Sequence, residues 1–350
     1  EFNEKLFYYY RIEFHENTFE YRLDYTSYGL NIIWNKFNQD ISNLPFTLYH
    51  LILGRKFNRD VSTLPHSLTQ LIFGHDFNRD VSALPSNLTV INFGHCFNQD
   101  VSNLPQNLTH LTFGTCFNHT VYELPQTLII INFGSHFNQS VSKLPHNLTH
   151  LTFGNKFNQD VSVLPPTLTY LTFDYSFNRD VSALPRNITY LKFDYMFNQD
   201  VSFLPPTLTH LTFGFHFNQD ISALPRNITY LFLGHKFNQQ IILQSNIKCL
   251  GIDCNNLHLI DSLPNSIIEL KLGDRFNCLI DNLPTSIKKL VIDKYSDYDK
   301  DLNCLPNFIE ELHLNRYYKK RISHIPSNLK KIVCNKYYPY IGDFEMCDVK

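Results

Sequence analysis

Eight aspartates recur on one interval in this 350-residue sequence: Asp40, Asp60, Asp80, Asp100, Asp160, Asp180, Asp200 and Asp220 are separated by twenty residues or a multiple of twenty. Carboxylates repeated in this way are the ligand type of a hard cation such as calcium. The interruptions argue otherwise. The matching positions of two internal copies are Thr120 and Ser140, whose hydroxyls can replace a carboxylate as acceptors for turn N–H groups but are poor ligands for a hard ion. The glycine-rich spacing of calcium-binding repeats is also absent. The column is therefore expected to close turns, and no metal ligand set is expected from it.

A second group of columns carries flat, amphipathic side chains. One reads His50, Gln70, Val90, His110, Ile130, His150, Tyr170, Tyr190, His210 and Tyr230; another, five residues on, contains His75, His95, Tyr175, Tyr195, Phe215 and His235. Tyr and His join contact area to one polar handle, the composition of recognition surfaces. Stacking between neighbouring strands favours similar residues, so both roles stay open. The candidate partner-binding set is His110, His150, Tyr170, Tyr190, His210, Tyr230, Tyr175, Tyr195 and Phe215, with the tyrosines at 170, 190, 175 and 195 at its centre. His110 and His150 lie two copies apart, about 10 Å if the copies are adjacent strands, too far to share an ion.

Other chemistry is scarce. Cys96 and Cys116 hold one position in adjacent copies and are read as free thiols, and Cys249 and Cys254 have no second pair at zinc spacing. No nucleophile with a nearby base, phosphate loop or paired-carboxylate arrangement emerges from the pattern, so the chain is not expected to be an enzyme or to need a cofactor.

The elements that must position these columns come from one motif. "FNQDVSNLPQNLTHLTFG" (97–114) recurs with its Phe at every twentieth position from Phe37 to Phe237 without insertion. Its Leu-Pro pair keeps register from Pro45 to Pro225, fails at Leu243-Gln244, and returns at Pro264, Pro284, Pro306 and Pro326. The segment ends in a period-two alternation that predicts a strand. The V-S-x-L-P return is too short for a helix and carries a proline, which predicts an extended or short 3-10 path. The glycine after most strands is expected to permit a turn. About fifteen stacked units of 20 residues, one parallel sheet and no long helices make a β-solenoid, with two aromatic spines inside. The unbroken column Asn38 to Asn238 is expected to satisfy backbone groups between turns by donating and accepting. Residues 31–240 form the regular array and 241–340 a degenerate one. Residues 1–30 are expected to be a cap or the remnant of an upstream region, and 341–350 a tail.

The L-x-x-L-x-L/F pattern followed by Leu-Pro resembles the leucine-rich repeat in a short variety. More narrowly, the motif resembles the FNIP repeat of amoebae and of giant viruses that infect them. The resemblance implies a protein-interaction solenoid whose strand face is concave. Family members often carry an F-box before the repeats, which docks them to a ubiquitin-ligase scaffold while the repeats bind substrate. Residues 1–30 are too short for a complete F-box, so that partner is expected only if one lies upstream of Glu1. The alternatives are a structural or virion-associated repeat protein and a glycan-binding solenoid.

Bulk properties fit this picture. A net charge of −2 gives no general attraction to nucleic acid or an anionic membrane. Near the C-terminus, Arg316, Lys319, Lys320, Arg321, Lys330, Lys331 and Lys336 face one acid, Glu311, within 311–340. A solvated end cap is favoured there over a nucleic-acid surface. No stretch is long and apolar enough for a membrane helix, no signal-peptide order opens the sequence, and eight unpatterned cysteines suit a reducing compartment. Cytoplasm is expected, or host cytoplasm or virion for a viral protein. Seven N-x-S/T sequons occur, most of them at one repeat position, as a copied feature.

Overall fold

A computed structural model describes residues 37–344 and 347–349, with the backbone of Leu23–Asp24 (β1) and Gly29–Asn31 (β2). Most of the N-terminal segment read as a cap lies outside the described residues. The chain divides into two compact units, residues 1–168 and 169–350.

In the first unit the strands are His50–Ile52, Gln70–Ile72, Val90–Asn92, His110–Thr112, Ile130–Asn132 and His150–Thr152 (β3–β8). Each pairs in parallel with the next at a shift of twenty residues, as in His110↔Ile130↔His150. β2 joins β3 in parallel and β1 in antiparallel. The second unit has nine further repeat strands: Tyr170–Phe173, Tyr190–Phe193, His210–Thr212, Tyr230–Leu233, Cys249–Ile252, Glu269–Leu272, Lys289–Ile292, Glu311–His313 and Lys331–Val333 (β9–β17). Both units are parallel β-solenoids, and among the described residues their repeat strands number fifteen, in line with the roughly fifteen units expected from the sequence. Within the stretch read as a tail, a 3-10 turn at Ile341–Phe344 leads into Asp348–Val349 (β18), which pairs with β17.

Twenty residues suffice for one circuit because three tight turns do the bending. In one copy, Phe57 N–H donates to the Gly54 carbonyl, Leu64 N–H to Val61, and Leu68 N–H to Pro65. The return is thus two successive turns, where an extended path or a single short 3-10 turn was expected. Pro65 sits at the first position of its turn, where only its carbonyl is needed. The described residues include one short helix, Leu257–Asp261, N-capped by Asn256, in the repeat after the Leu-Pro pair fails.

The inward positions of each copy bury Phe, Val or Ile, and Leu side chains almost completely. Phe57, Phe77, Phe97, Phe117 and Phe137 stack at 6.0–6.2 Å between centroids. Phe73, Phe93, Phe113, Phe133 and Phe153 stack beside them at 5.4–5.7 Å. The two spines touch, with Phe93 and Phe97 3.8 Å apart. No copy could bury these rings alone; its neighbours complete the core.

Polar columns close the circuits. Asn98 N–H donates to Asn78 Oδ1, and Asn118 N–H to Asn98 Oδ1, both at 2.9 Å, along a ladder repeated in each unit. The accepting half of the expected asparagine role is thus in place. Asp60 accepts from Ser62 N–H and hydroxyl at 3.0 and 2.6 Å, so both carboxylate oxygens close a turn. These bonds hold Asp60 below the ordinary carboxylate range. Ser140 performs the same service more weakly, accepting from Ser142 N–H at 3.4 Å. The sequon asparagines are also occupied: Asn107 Nδ2 donates to the Ser86 carbonyl at 3.0 Å.

The glycine column has a different reason from the one expected. A Cβ on Gly114 would lie 1.8 Å from the Gly94 carbonyl oxygen. Glycine is needed because successive circuits approach backbone to backbone, not for an unusual turn conformation. Asp174 and Asp194 replace it after Tyr170–Phe173 and Tyr190–Phe193.

Candidate functional site

Strand alternation sends residues 171 and 173 of β9 into the core and 170 and 172 to the opposite face, where Thr172 is nonetheless buried. Repetition at twenty residues then aligns outward residues into columns. Seven of the nine candidate residues fall in the second unit, where they form two stacks. Tyr170 and Tyr190 lie 4.3 Å apart with planes 10° from parallel; His210 follows at 6.1 Å and Tyr230 at 5.6 Å. Tyr175 and Tyr195 are 4.5 Å apart, Phe215 follows at 4.7 Å, and His235 closes the run at 4.9 Å.

Between the stacks runs the column Thr172, Lys192, Thr212 and Phe232, with Asp174 and Asp194 just beyond. Lys192 reaches Asp194 at 3.4 Å. Burial, with Asp194 alongside, pushes the Asp174 carboxyl above the ordinary range despite the Tyr175 N–H it accepts. Burial first, then Tyr190, raises the Tyr170 hydroxyl as well. Cations cover the far end: Arg275 lies 4.7 Å and Lys236 5.7 Å from the Phe215 ring centre, and Lys271 lies 5.2 Å from that of Tyr230.

Parallel stacking decides what this surface offers. Faces of interior rings are covered by neighbouring rings, so edges remain for a partner. Ring edges carry the positive end of the aromatic quadrupole and suit carbonyl oxygens or the faces of other rings. Tyr175 is 47% exposed, while Tyr170, Tyr190, Tyr195, Phe215 and Tyr230 are half-buried.

The remaining candidates, His110 and His150, belong to the first unit. Both are exposed, each with Nδ1 close to the preceding threonine hydroxyl, at 2.9 Å from Thr109 and 2.8 Å from Thr149. The strand carrying Ile130 lies between them, as their register requires.

Sequence reasoning left one cluster ungrouped. His75, His95 and Cys96 each offer a ligand atom, all within 4.8 Å of one another. The signal was His at one repeat position in consecutive copies with Cys at the next residue, spread over two columns and hidden when each column is read alone. The eight cysteines are free. The basic end is also less open than its composition suggests. Lys330 pairs with Glu310, Lys331 with Glu311 and Arg321 with Asp343, while Tyr318 and Tyr338 are buried in the core.

The FNIP Repeat family matches residues 37–76, 57–96, 77–116, 117–156, 141–176, 177–216 and 255–295. Among solved structures, the chain is similar to CroV588, described as a novel circular LRR protein, at 31% identity and a TM-score of 0.59. That match covers 86% of this chain and 58% of the other, so this chain spans under two thirds of that relative's length. YopM from Yersinia enterocolitica matches at 20% identity over 89% of this chain and 74% of its own, with a TM-score of 0.47. The functional domain of InlJ from Listeria monocytogenes, which includes a cysteine ladder, matches at 15% identity over 83% and 69%, with a TM-score of 0.45. No curated protein matches the sequence significantly.

Proposed function

The chain belongs to the FNIP-repeat family, and on that premise we propose that it is a non-enzymatic interaction solenoid whose second unit binds a partner protein across the two aromatic stacks. The observation that carries this is the pairing of Tyr170–Tyr190 with Tyr175–Tyr195–Phe215, two ribbons of ring edges flanking Thr172 and Lys192. The ribbons are rigid because each ring is held by its neighbours, so little side-chain entropy is lost on binding. Lys192 adds a polar handle at a surface otherwise suited to apolar and carbonyl-rich segments.

The finer reading is substrate recognition for an F-box ubiquitin-ligase subunit of an amoeba or giant virus. It is supported by the family resemblance and requires an F-box upstream of Glu1. A cytoplasmic setting accords with it, and among the described residues no helix is long and apolar enough to cross a membrane.

The test is a double substitution, Tyr170→Ala with Tyr190→Ala, in the full chain. The far-ultraviolet circular dichroism spectrum should be retained, and affinity for a partner recovered from the native cell should fall at least about a hundredfold, the loss of two hot-spot rings. Unchanged affinity would remove this face from the partner site. Recovery of scaffold subunits of a ubiquitin ligase would support the finer reading; recovery of capsid proteins alone would replace it with a virion-associated role.

A further inference from the structure

We propose that His75, His95 and Cys96 bind one zinc-class divalent ion. The site lies in the first unit, and the partner-binding proposal makes no use of it. His75 and His95 directly follow Gly74 and Gly94 in consecutive circuits, and Cys96 follows His95. The two imidazoles face each other at 4.4 Å, 5° from parallel. Cys96 Sγ lies 3.8 Å from His75 Nδ1, and one ligand atom from each of the three residues falls within 4.8 Å of the others.

These separations approach what a tetrahedral ion needs. Bonds of about 2.0–2.1 Å to nitrogen and about 2.3 Å to sulfur place the two ligand atoms about 3.5 Å apart across the metal. The Cys96 sulfur and His75 are therefore within a few tenths of an ångström of that span. Parallel rings direct their lone pairs side by side, so one imidazole must tilt for both to converge. His95 is exposed and has room to do so. The backbone beneath is held by Cys96 N–H donating to the His75 carbonyl at 2.9 Å, so closure needs side-chain rotation alone.

The surroundings add charge. Asp76 Oδ1 lies 2.5 Å from His75 Nδ1, the same nitrogen that faces Cys96 Sγ, so an ion bound at Nδ1 must displace this hydrogen bond, which leaves the Asp76 carboxylate beside the ion. Its other oxygen accepts from the Lys56 ammonium at 2.7 Å, which occupies the nearest cation. Two imidazoles and a thiolate select zinc and its softer neighbours over calcium or magnesium. The same two positions in other circuits of this unit read Arg55-Lys56, Thr115-Cys116, Ser135-His136 and Asn155-Lys156. The full donor set is thus confined to two circuits, and Cys116, next in the column, is the nearest candidate for a further ligand.

The test titrates the reduced, metal-free full chain with Co²⁺ as a spectroscopic probe, then competes it with Zn²⁺. One equivalent should produce a thiolate-to-cobalt charge-transfer band and the visible bands of tetrahedral cobalt, bleached by zinc. Cys96→Ser should abolish the charge-transfer band, and His75→Ala or His95→Ala should weaken binding about tenfold or more. A band absent at one equivalent, or unchanged in Cys96→Ser, overturns the proposal. A second measurement needs no variant: one equivalent of Zn²⁺ should protect Cys96, but not the exposed Cys304, from alkylation read by mass spectrometry. Equal labelling of Cys96 with and without zinc also overturns it.

Discussion

Between Tyr170 and Tyr230 the outward strand column of the second unit is made of rings, whereas between Glu269 and Lys331 the same column is made of ions. Register links them, since Tyr230 pairs with Cys249, Cys249 with Glu269, and Glu269 with Lys289, Glu311 and Lys331 in turn. The ionic stretch closes on itself: Lys289 lies 3.5 Å from Glu269 and 3.7 Å from Glu311, and Lys331 lies 2.5 Å from Glu311. The aromatic stretch also stacks, but ring edges stay available. One backbone register can therefore carry a column that satisfies its own charges or a column that offers contact surface. That choice is written in outward letters.

The core changes across the same interval, and the largest expected effect probes that change. Phe197 is fully buried, 3.7 Å from Phe193 and stacked at 6.1 and 6.0 Å on Phe177 and Phe217. Phe276, below the ionic column, is equally buried and stacks on Tyr298 at 6.0 Å. Phe197→Ala should destabilise the second unit by about 3–5 kcal/mol, as for other buried aromatic truncations. Phe276→Ala should fall toward the lower end of that range, because fewer aromatic neighbours lose a stacking partner. Urea unfolding followed by circular dichroism checks the order, and equal losses would mean that the two cores are energetically alike.

The fold was legible because the period holds without insertion from Phe37 to Phe237, so one copy discloses the inward and outward places of all. The reason for glycine was not, because the contact of Gly114 with the Gly94 carbonyl lies between circuits and leaves no mark within either. The stacks of the candidate site followed from column arithmetic, since Tyr170 and Tyr190 must be neighbours if the period is right. What could not be read was that stacking would cover ring faces and leave edges exposed, which depends on side-chain torsions. His75, His95 and Cys96 escaped for another reason: their proximity needs two columns and two circuits at once.

A smaller effect tests the ionic half of the comparison. The Lys331 ammonium and the His313 ring, and beyond them Lys289, hold the Glu311 carboxyl down at about 2, against an ordinary value of 4.5. A carboxylate whose value is depressed on folding adds stability that is complete above its unfolded value and lost as pH falls through the folded one. Glu311 should therefore contribute fully at neutral pH and lose its contribution between about pH 4.5 and pH 2. Its side chain is 23% exposed, so water screens the pairs and a loss of about 1 kcal/mol is expected for Glu311→Gln at pH 7 in low salt. The difference between variant and parent should shrink below pH 4 and in high salt. A difference that persists at both would assign the effect to packing and break the contrast with the aromatic column.

The smallest expected effect has the opposite sign. Tyr298 occupies the inward place that Phe holds in regular circuits, and it is 2% exposed. Its neighbours along this spine, Tyr318 and Tyr338, donate their hydroxyls to the Lys300 and Lys320 carbonyls at 3.1 and 2.7 Å. Among the described residues the Tyr298 hydroxyl has no partner, and Asn315 Oδ1 is likewise unsatisfied, although Asn315 Nδ2 donates to the Ser296 and Tyr298 carbonyls. A buried hydroxyl without a bond loses its hydration and regains nothing, while its ring keeps the core contacts. Tyr298→Phe should therefore stabilise the second unit by about 0.5–1 kcal/mol. Tyr318→Phe and Tyr338→Phe, which each leave a carbonyl without its donor, should destabilise it by a similar amount. Thermal unfolding of the three variants under one buffer separates the cases, and a loss on Tyr298→Phe would mean that water or a side-chain rearrangement satisfies the hydroxyl in solution.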